Sequence, residues 1–417
     1  MTTVRAWYGL TFRQKLSWFL LATYVFLIHF GKLTRFGERE SETGITTAIA
    51  LLIIACGYRG FSRATLREPV IRLMLVLLAW CCGASFLSPL DLSVAFLNLA
   101  KLSIYVTLAL VVAELRLPAQ QVEWLILVAI AGLFVATSLT VLDHQKLIDV
   151  PGCNDVQAGS RISRGSKIVR IEQASGFYPR RSAMAAIYSI SLAASYLVFT
   201  NSRRFLTRAA CIIAFATGLL CLFLTHNRSA GVGVLLSILM SFIFSHRRKL
   251  TGRIAYLLLS GFAATGIIWV AVSYFPDHTS VYLDKFSYLS GGQRGQYSTD
   301  IERLENLKYA CHQITYNNPV GYGLGNLVEN GQEFSSHNII TAQIWAMGIL
   351  SFLWIPAFAM AVIEVFRRRC SGVGEVVKFS LVAWLFHNMT HESLSTGFAW
   401  IFIGLLYSQI AAHRVSD

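Results

Sequence analysis

Charge is scarce in this chain of 417 residues. Asp, Glu, Lys and Arg together make up 14%, apolar residues reach 55% and mean hydropathy is +0.54, whereas soluble domains carry roughly one-quarter charged residues. So little charge excludes an ordinary soluble domain and points to an integral membrane protein. Other absences narrow the function. No Cys-x-x-Cys or His-Glu-x-x-His spacing occurs, so no metal is expected. No Lys-Ser or Lys-Thr follows Gly321, Gly323 and Gly325, and no strand pattern precedes them, which argues against a nucleotide loop. The basic residues are dispersed between apolar runs and form no soluble patch, which argues against nucleic acid as a partner. No pair of repeated halves with interrupted helices is visible, as a transporter would need. No small-residue cleavage site follows the first apolar run, so that helix is expected to be retained.

What is present is a series of apolar runs close to the ~20 residues that span a bilayer. They are centred on Tyr24, Ala50, Leu78, Ile104, Ala131, Ser191, Thr217, Ser237, Ile267, Trp354, Ala383 and Phe402. The expected fold class is all-α: a single polytopic membrane unit over 1–417 with about twelve transmembrane helices. Lys and Arg gather in alternate loops, as at Arg59, Arg63 and Arg67, at Arg203, Arg204 and Arg208, and at Arg367, Arg368 and Arg369. The positive-inside rule then places both termini in the cytoplasm. The net charge of +14 lies mostly in these cytoplasmic loops and suits anionic membrane lipids.

Two long loops remain, 142–181 and 275–338, and both fall on the outer side. The first is basic, with Lys146, Arg161, Arg164, Lys167, Arg170, Arg180 and Arg181 against four acids. Either it escapes the rule as long loops do, or it attracts an anion such as a lipid diphosphate. The second should contain a helix. Thr299-Asp300-Ile301-Glu302 has capping-box form, Ile301, Leu304, Leu307, Cys311 and Ile314 recur at helical spacing, and Asn317-Asn318-Pro319 ends the run. Arg303 lies off that apolar stripe, either as a solvated surface residue or turned toward a site. Gly321, Gly323 and Gly325 permit a tight turn and close backbone approach.

Several side chains stand out for their setting. Arg228 lies in Thr225-His226-Asn227-Arg228-Ser229-Ala230-Gly231, where one apolar run ends at the outer surface and another starts. It could snorkel to headgroups or bind an anion, with small neighbours leaving room around the guanidinium. Lys101, within a span, poses the same alternatives. His337 closes a polar stretch immediately before another span, where a base could meet water-borne and lipid-borne reactants. His387, His391 and Glu392 form either a polar loop or support for a site. Cys153 and Cys311, one in each long loop, could pair and tie the loops together or remain thiols.

These elements in this order resemble the O-antigen ligase and O-antigen polymerase superfamily: a Thr-x-x-Arg-Ser-x-Gly turn between membrane helices, an Arg303 helix leading to Asn318-Pro319-Val320-Gly321-Tyr322-Gly323-Leu324-Gly325-Asn326, then Ser335-Ser336-His337-Asn338 opening another span. The likeness runs from about Arg170 to the last helix, and size and loop plan look closest to the lipopolysaccharide O-antigen ligases. Two departures are visible: Asn227 stands where the family usually has Ser, and Ser175-Gly176-Phe177-Tyr178-Pro179-Arg180-Arg181 replaces an element often ending in Pro-Asn. The resemblance implies that Arg228, Arg303 and His337 are the essential residues, with Arg170, Arg181 and Asn338 also on the donor side. It implies transfer of a polysaccharide from undecaprenyl diphosphate to a sugar hydroxyl of lipid A-core on the periplasmic face of the inner membrane, without a cofactor. The residue types suit that chemistry. Arginines can balance a departing diphosphate through fixed charge-assisted hydrogen bonds. A histidine kept neutral at a helix start can take the proton of the attacking hydroxyl. A polymerase extending carrier-linked repeats would use the same donor chemistry, and a transporter none of it.

Overall fold

An apolar segment in lipid must satisfy its backbone N–H and C=O groups within itself, which makes helix the outcome for the long Leu, Ile, Val, Ala and Phe runs. The computed structural model describes residues 11–34, 44–87, 92–154, 158–164, 167–178, 181–244, 273–280, 299–324, 328–329, 332–333, 338–370, 372–391 and 396–416. Its principal helices are α1 (Phe12–Leu27), α2 (Ile45–Gly57), α3 (Pro69–Leu87), α4 (Leu92–Glu114), α5 (Ala119–His144), α6 (Arg181–Asn201), α7 (Phe205–Leu224), α8 (Arg228–Phe244), α9 (Thr299–Tyr316), α10 (Ile339–Met347), α11 (Ser351–Arg367), α12 (Gly372–Asn388) and α13 (Gly397–Ser416). Eleven of the twelve expected centres lie inside one of these helices, and Ile267 lies outside the described residues.

Among the described residues, six segments are long and apolar enough to cross a membrane: Pro69–Leu87, Ala95–Glu114, Ala119–His144, Ser182–Asn201, Phe205–Leu224 and Ile339–Arg367. Others, such as Ile45–Gly57, Arg228–Phe244 and Gly397–His413, are apolar but shorter. The helical bundle agrees with an all-α reading, with one addition. Inside the first long loop, β1 (Ala158–Arg164) pairs antiparallel with β2 (Lys167–Gln173), and β3 (Val328–Glu329) pairs with β4 (Gln332–Glu333) in the second. The first hairpin has a local cause: Ile168, Val169 and Ile171 favour extended backbone, and Gly165-Ser166 is the length and composition that a two-residue turn asks for.

Helix α6 is the most enclosed span, with 89% of its membrane-crossing window buried. It packs against α7, α8 and α12, and α8 packs closely on α12. Small residues set that last distance. A Cβ added at Gly233 would stand 2.6 Å from the Ala383 carbonyl oxygen, and Ser237 Oγ donates to the Phe379 carbonyl at 2.6 Å. Such close backbone approach is how membrane helices gain dispersion contact when no hydrophobic effect drives them together.

Candidate functional site

Three residues separate α7 from α8. Thr225 and His226 turn the chain, His226 with φ +55, and Asn227 caps α8: its Oδ1 accepts from the Ala230 amide at 3.2 Å and lies 3.0 Å from Ser229 Oγ. Asparagine therefore fills the capping role that serine would fill, since either side chain presents an acceptor to the first turn. Arg228 follows as the first helical residue and is exposed. It stands where unsatisfied N–H groups and the helix dipole already favour an anion.

The room expected around the guanidinium is only partly there. A Cβ at Gly231 would meet nothing within 4 Å, so that side is open. Ala230 is buried and Gly233 lies against α12, so both serve helix packing.

His387, on α12, is fully buried. Its Nε2 lies 3.0 Å from the Ser182 carbonyl and its Nδ1 3.1 Å from Ser229 Oγ. A carbonyl only accepts, so Nε2 carries the proton and Nδ1 is an acceptor, facing a Ser229 hydroxyl whose single proton serves either it or Asn227 Oδ1. This one imidazole joins the first turns of α6 and α8, and so brings the backbone at Arg181, which opens α6, near that at Arg228. His391 stacks on it at 5.1 Å, and Glu392 lies outside the described residues.

The first long loop reaches the same turn from the other side. Gln173, the last residue of β2, points Nε2 at His226 Nδ1 at 2.7 Å, and the Ala174 amide donates to the Leu224 carbonyl. Asn154 Oδ1 accepts from the amides of Ser175 and Gly176, both at 2.9 Å, and Phe177 and Tyr178 are buried, the Tyr178 hydroxyl donating to the Ile28 carbonyl. The Ser175-Gly176-Phe177-Tyr178 segment is thus an anchor for the loop. Arg170 sits on β2 with Arg161 as its partner across the ladder, a like-charge register that gathers positive charge on the hairpin.

The second long loop carries the helix expected of it, α9. Arg303 is half-buried near its start. The later part of the expected apolar stripe packs as read: Ile314 is buried with Ala310, Tyr322, Ile344 and Trp345, and Leu307 and Cys311 lie against them, whereas Leu304 is 51% exposed. Helix α9 packs on α10, which brings Arg303's helix to the one that Asn338 caps.

Between them, the glycine segment docks by its backbone. The amides of Tyr322 and Gly323 donate to the carbonyls of Trp345 and Ala346, Ile349 N donates to the Pro319 carbonyl, and Trp80 Nε1 donates to the Val320 carbonyl. Gly321 has φ +92, and a Cβ there would lie 2.5 Å from Gly348 N; a Cβ at Gly323, φ +74, would lie 2.2 Å from Ser85 Oγ. These two glycines are needed for both conformation and space, while Gly325 lies outside the described residues.

Asn338 Oδ1 accepts from the Thr341 amide at 2.8 Å, so this oxygen serves the cap and the side-chain amide nitrogen is the group that can donate to an anion. His337, immediately before it in sequence, lies outside the described residues. Lys101 is half-buried on α4. Cys153 and Cys311 remain thiols, and the expected alternative of a disulfide is not taken: Cys153 is buried with Sγ directed at Thr140 Oγ1, and Cys311 packs on the α9 cluster.

Sequence reading missed the histidines around the turn, of which His226 and His278 are buried and His144 is half-buried. His226 Nε2 lies 2.8 Å from His278 Nδ1, and His278 Nε2 lies 3.5 Å from His144 Nε2. Only His226 lies within the arginine motif itself; the others are too distant in sequence for spacing to link them.

Residues 213–355 match a protein family described as O-Antigen ligase. The matched range runs from within α7 into α11, includes Arg228, Arg303, His337 and Asn338, and leaves Arg170 and Arg181 outside. It supports the O-antigen ligase and polymerase superfamily. No curated protein matches the chain. The similarity is confined to that range, and the apolar helices around it suit a multi-pass membrane protein.

Proposed function

We propose that the chain is an O-antigen ligase, a glycosyltransferase that moves a polysaccharide from undecaprenyl diphosphate to a sugar hydroxyl of lipid A-core on the periplasmic face of the inner membrane. About twelve spans, both termini in the cytoplasm and loops 142–181 and 275–338 in the periplasm complete the topology. One observation supports this reading most: an exposed arginine at the capped start of α8, inside the family-matched range, with an open Gly231 beside it.

In this mechanism Arg228 and Arg303 hold the donor's diphosphate, with Arg170, Arg181 and the Asn338 amide nitrogen on the donor side. The acceptor oxygen attacks the anomeric carbon while His337 takes its proton. The bond from that carbon to the phosphate oxygen breaks, and undecaprenyl diphosphate leaves with its charge balanced by the guanidinium groups. A single displacement inverts the anomeric centre and forms no covalent enzyme intermediate.

The test uses purified protein with undecaprenyl diphosphate-linked glycan and lipid A-core. His337→Ala should abolish transfer while the protein stays folded and donor-bound, and Arg303→Ala should weaken donor retention or turnover. Transfer at near-normal rate in His337→Ala removes the base assignment. Growth of the carrier-linked chain without lipid A-core makes the protein a polymerase.

A further inference from the structure

The turn that presents Arg228 contains a residue the proposed chemistry leaves unused. His226 is buried and holds φ +55, a conformation that costs an L-residue with a full side chain. Its ring is gripped at both nitrogens, by Gln173 at 2.7 Å and His278 at 2.8 Å, and His278 in turn faces His144 at 3.5 Å. The four side chains come from the end of β2, the turn before α8, the second long loop and the last residue of α5.

The donors in this chain run one way. Gln173 Nε2 donates to His226 Nδ1, so His226 carries its proton on Nε2 and donates to His278 Nδ1. His278 then carries its proton on Nε2 and directs it toward His144 Nε2. An added proton on any of the three rings sets two donors face to face.

We propose that His226 is a positioning residue for Arg228: the neutral chain His226, His278, His144 locks the turn in the conformation that presents the guanidinium to the donor's diphosphate, and acid releases it. The inference rests on Arg228 binding that diphosphate.

Burial, with the His144 ring beside it, pushes the His278 imidazole from 6.5 down to about 4, and Asp277 opposes that shift. The rings of Phe223 and Phe275 also flank His278, and Asp143, Glu172 and Lys146 act on His144. An opened turn would return His278 toward its ordinary value and bind more protons than the locked one. The lock is therefore fully present above 6.5 and weakens as pH falls toward about 4.

The experiment titrates an undecaprenyl diphosphate-linked disaccharide onto the full chain in nanodiscs, in a His337→Ala background so that the proposed base adds no titration. Donor Kd should be flat above pH 6.5 and rise about tenfold by about pH 5, the worth of one positioned hydrogen bond. His278→Leu should raise Kd about as much at every pH and flatten the profile. His278→Asn, whose Oδ1 can accept from His226 Nε2 without titrating, should keep the parent's Kd above pH 6.5 and lose the share of the acid sensitivity that His278 supplies.

A folded His278→Leu with the parent's Kd and profile overturns the proposal. If that variant does not fold, a His278→Asn as acid-sensitive as the parent overturns it instead. A Kd that falls in acid also overturns it, because that is the sign extra positive charge beside an anion would give. Unchanged binding in Arg228→Ala refutes the diphosphate reading and the positioning role with it. Lost binding in Arg228→Ala with an unaltered His278→Leu refutes the positioning role alone.

Discussion

Gly321→Ala tests how the segment before His337 is held. At φ +92 an alanine meets left-handed strain of about 1–2 kcal/mol. Its Cβ would also lie 2.5 Å from Gly348 N and 2.7 Å from the Ala346 carbonyl oxygen, backbone atoms that cannot rotate away. Forcing an extra carbon into such a contact adds about 1–3 kcal/mol, for a total of about 2–5 kcal/mol. The strain is relieved by breaking the bonds from Tyr322 and Gly323 to Trp345 and Ala346. At 1.4 kcal/mol per factor of ten, the undocked population rises roughly thirty-fold to several thousand-fold. Amide hydrogen exchange at Tyr322 and Gly323, followed by mass spectrometry in nanodiscs, reads this directly, and transfer should fall in parallel. Gly231→Ala is the control, since its Cβ meets nothing within 4 Å. Unchanged exchange at Tyr322 and Gly323 in Gly321→Ala would refute the docking described for this segment.

The remaining expectations concern the Arg228 turn and the thiols. Asn227→Ala should cost about 0.5–2 kcal/mol of helix-start stability and weaken donor binding, whereas Asn227→Ser should be nearly neutral, as thermal melting and donor titration in micelles would show. His387→Leu leaves the Ser182 carbonyl without its donor, at about 1–3 kcal/mol, and His387→Gln should recover part of this because its amide can still donate; equal melting of the two variants would count against the bridge. Reducing agent should change neither transfer nor melting, because Cys153 and Cys311 are thiols. A shift in gel mobility on reduction would contradict that.

The sequence was most readable where structure is local. The runs around Leu78, Ala131 and Thr217 became helices because lipid leaves the backbone few alternatives, and α9 followed from its capping residues and spacing. Even there, periodicity misplaced Leu304, because the cluster of Tyr322, Ile344 and Trp345 packs on the later turns of α9, around Ala310 and Ile314. Gly321 and Gly323 were legible as close-approach glycines, but their partners on α3 and at the end of α10 were not. The role of Ala230 and Gly233 depended on α12, some 150 residues later in sequence, roughly the kind of distant pairing that local pattern does not encode. The same holds for His387, whose burial comes from α6 and α8 together. Arg228 was identifiable by its odd position at the end of an apolar run, while the histidines behind it have no spacing in common.

The cluster beneath Arg303 has a consequence for how a bulky substrate could come and go. Ala310, Ile314, Tyr322, Ile344 and Trp345 pack apart from the main core, and the half-buried Ile340 and Ile355 touch both. Lifting α9 would break the stacking of Tyr309 on Trp345 and the hydrogen bond from Tyr322 to Gln313 among its contacts, and none of these belongs to the enclosed interior around α6. On the proposed function, a helix packed apart from the main core gives the donor glycan a route that leaves the membrane spans folded.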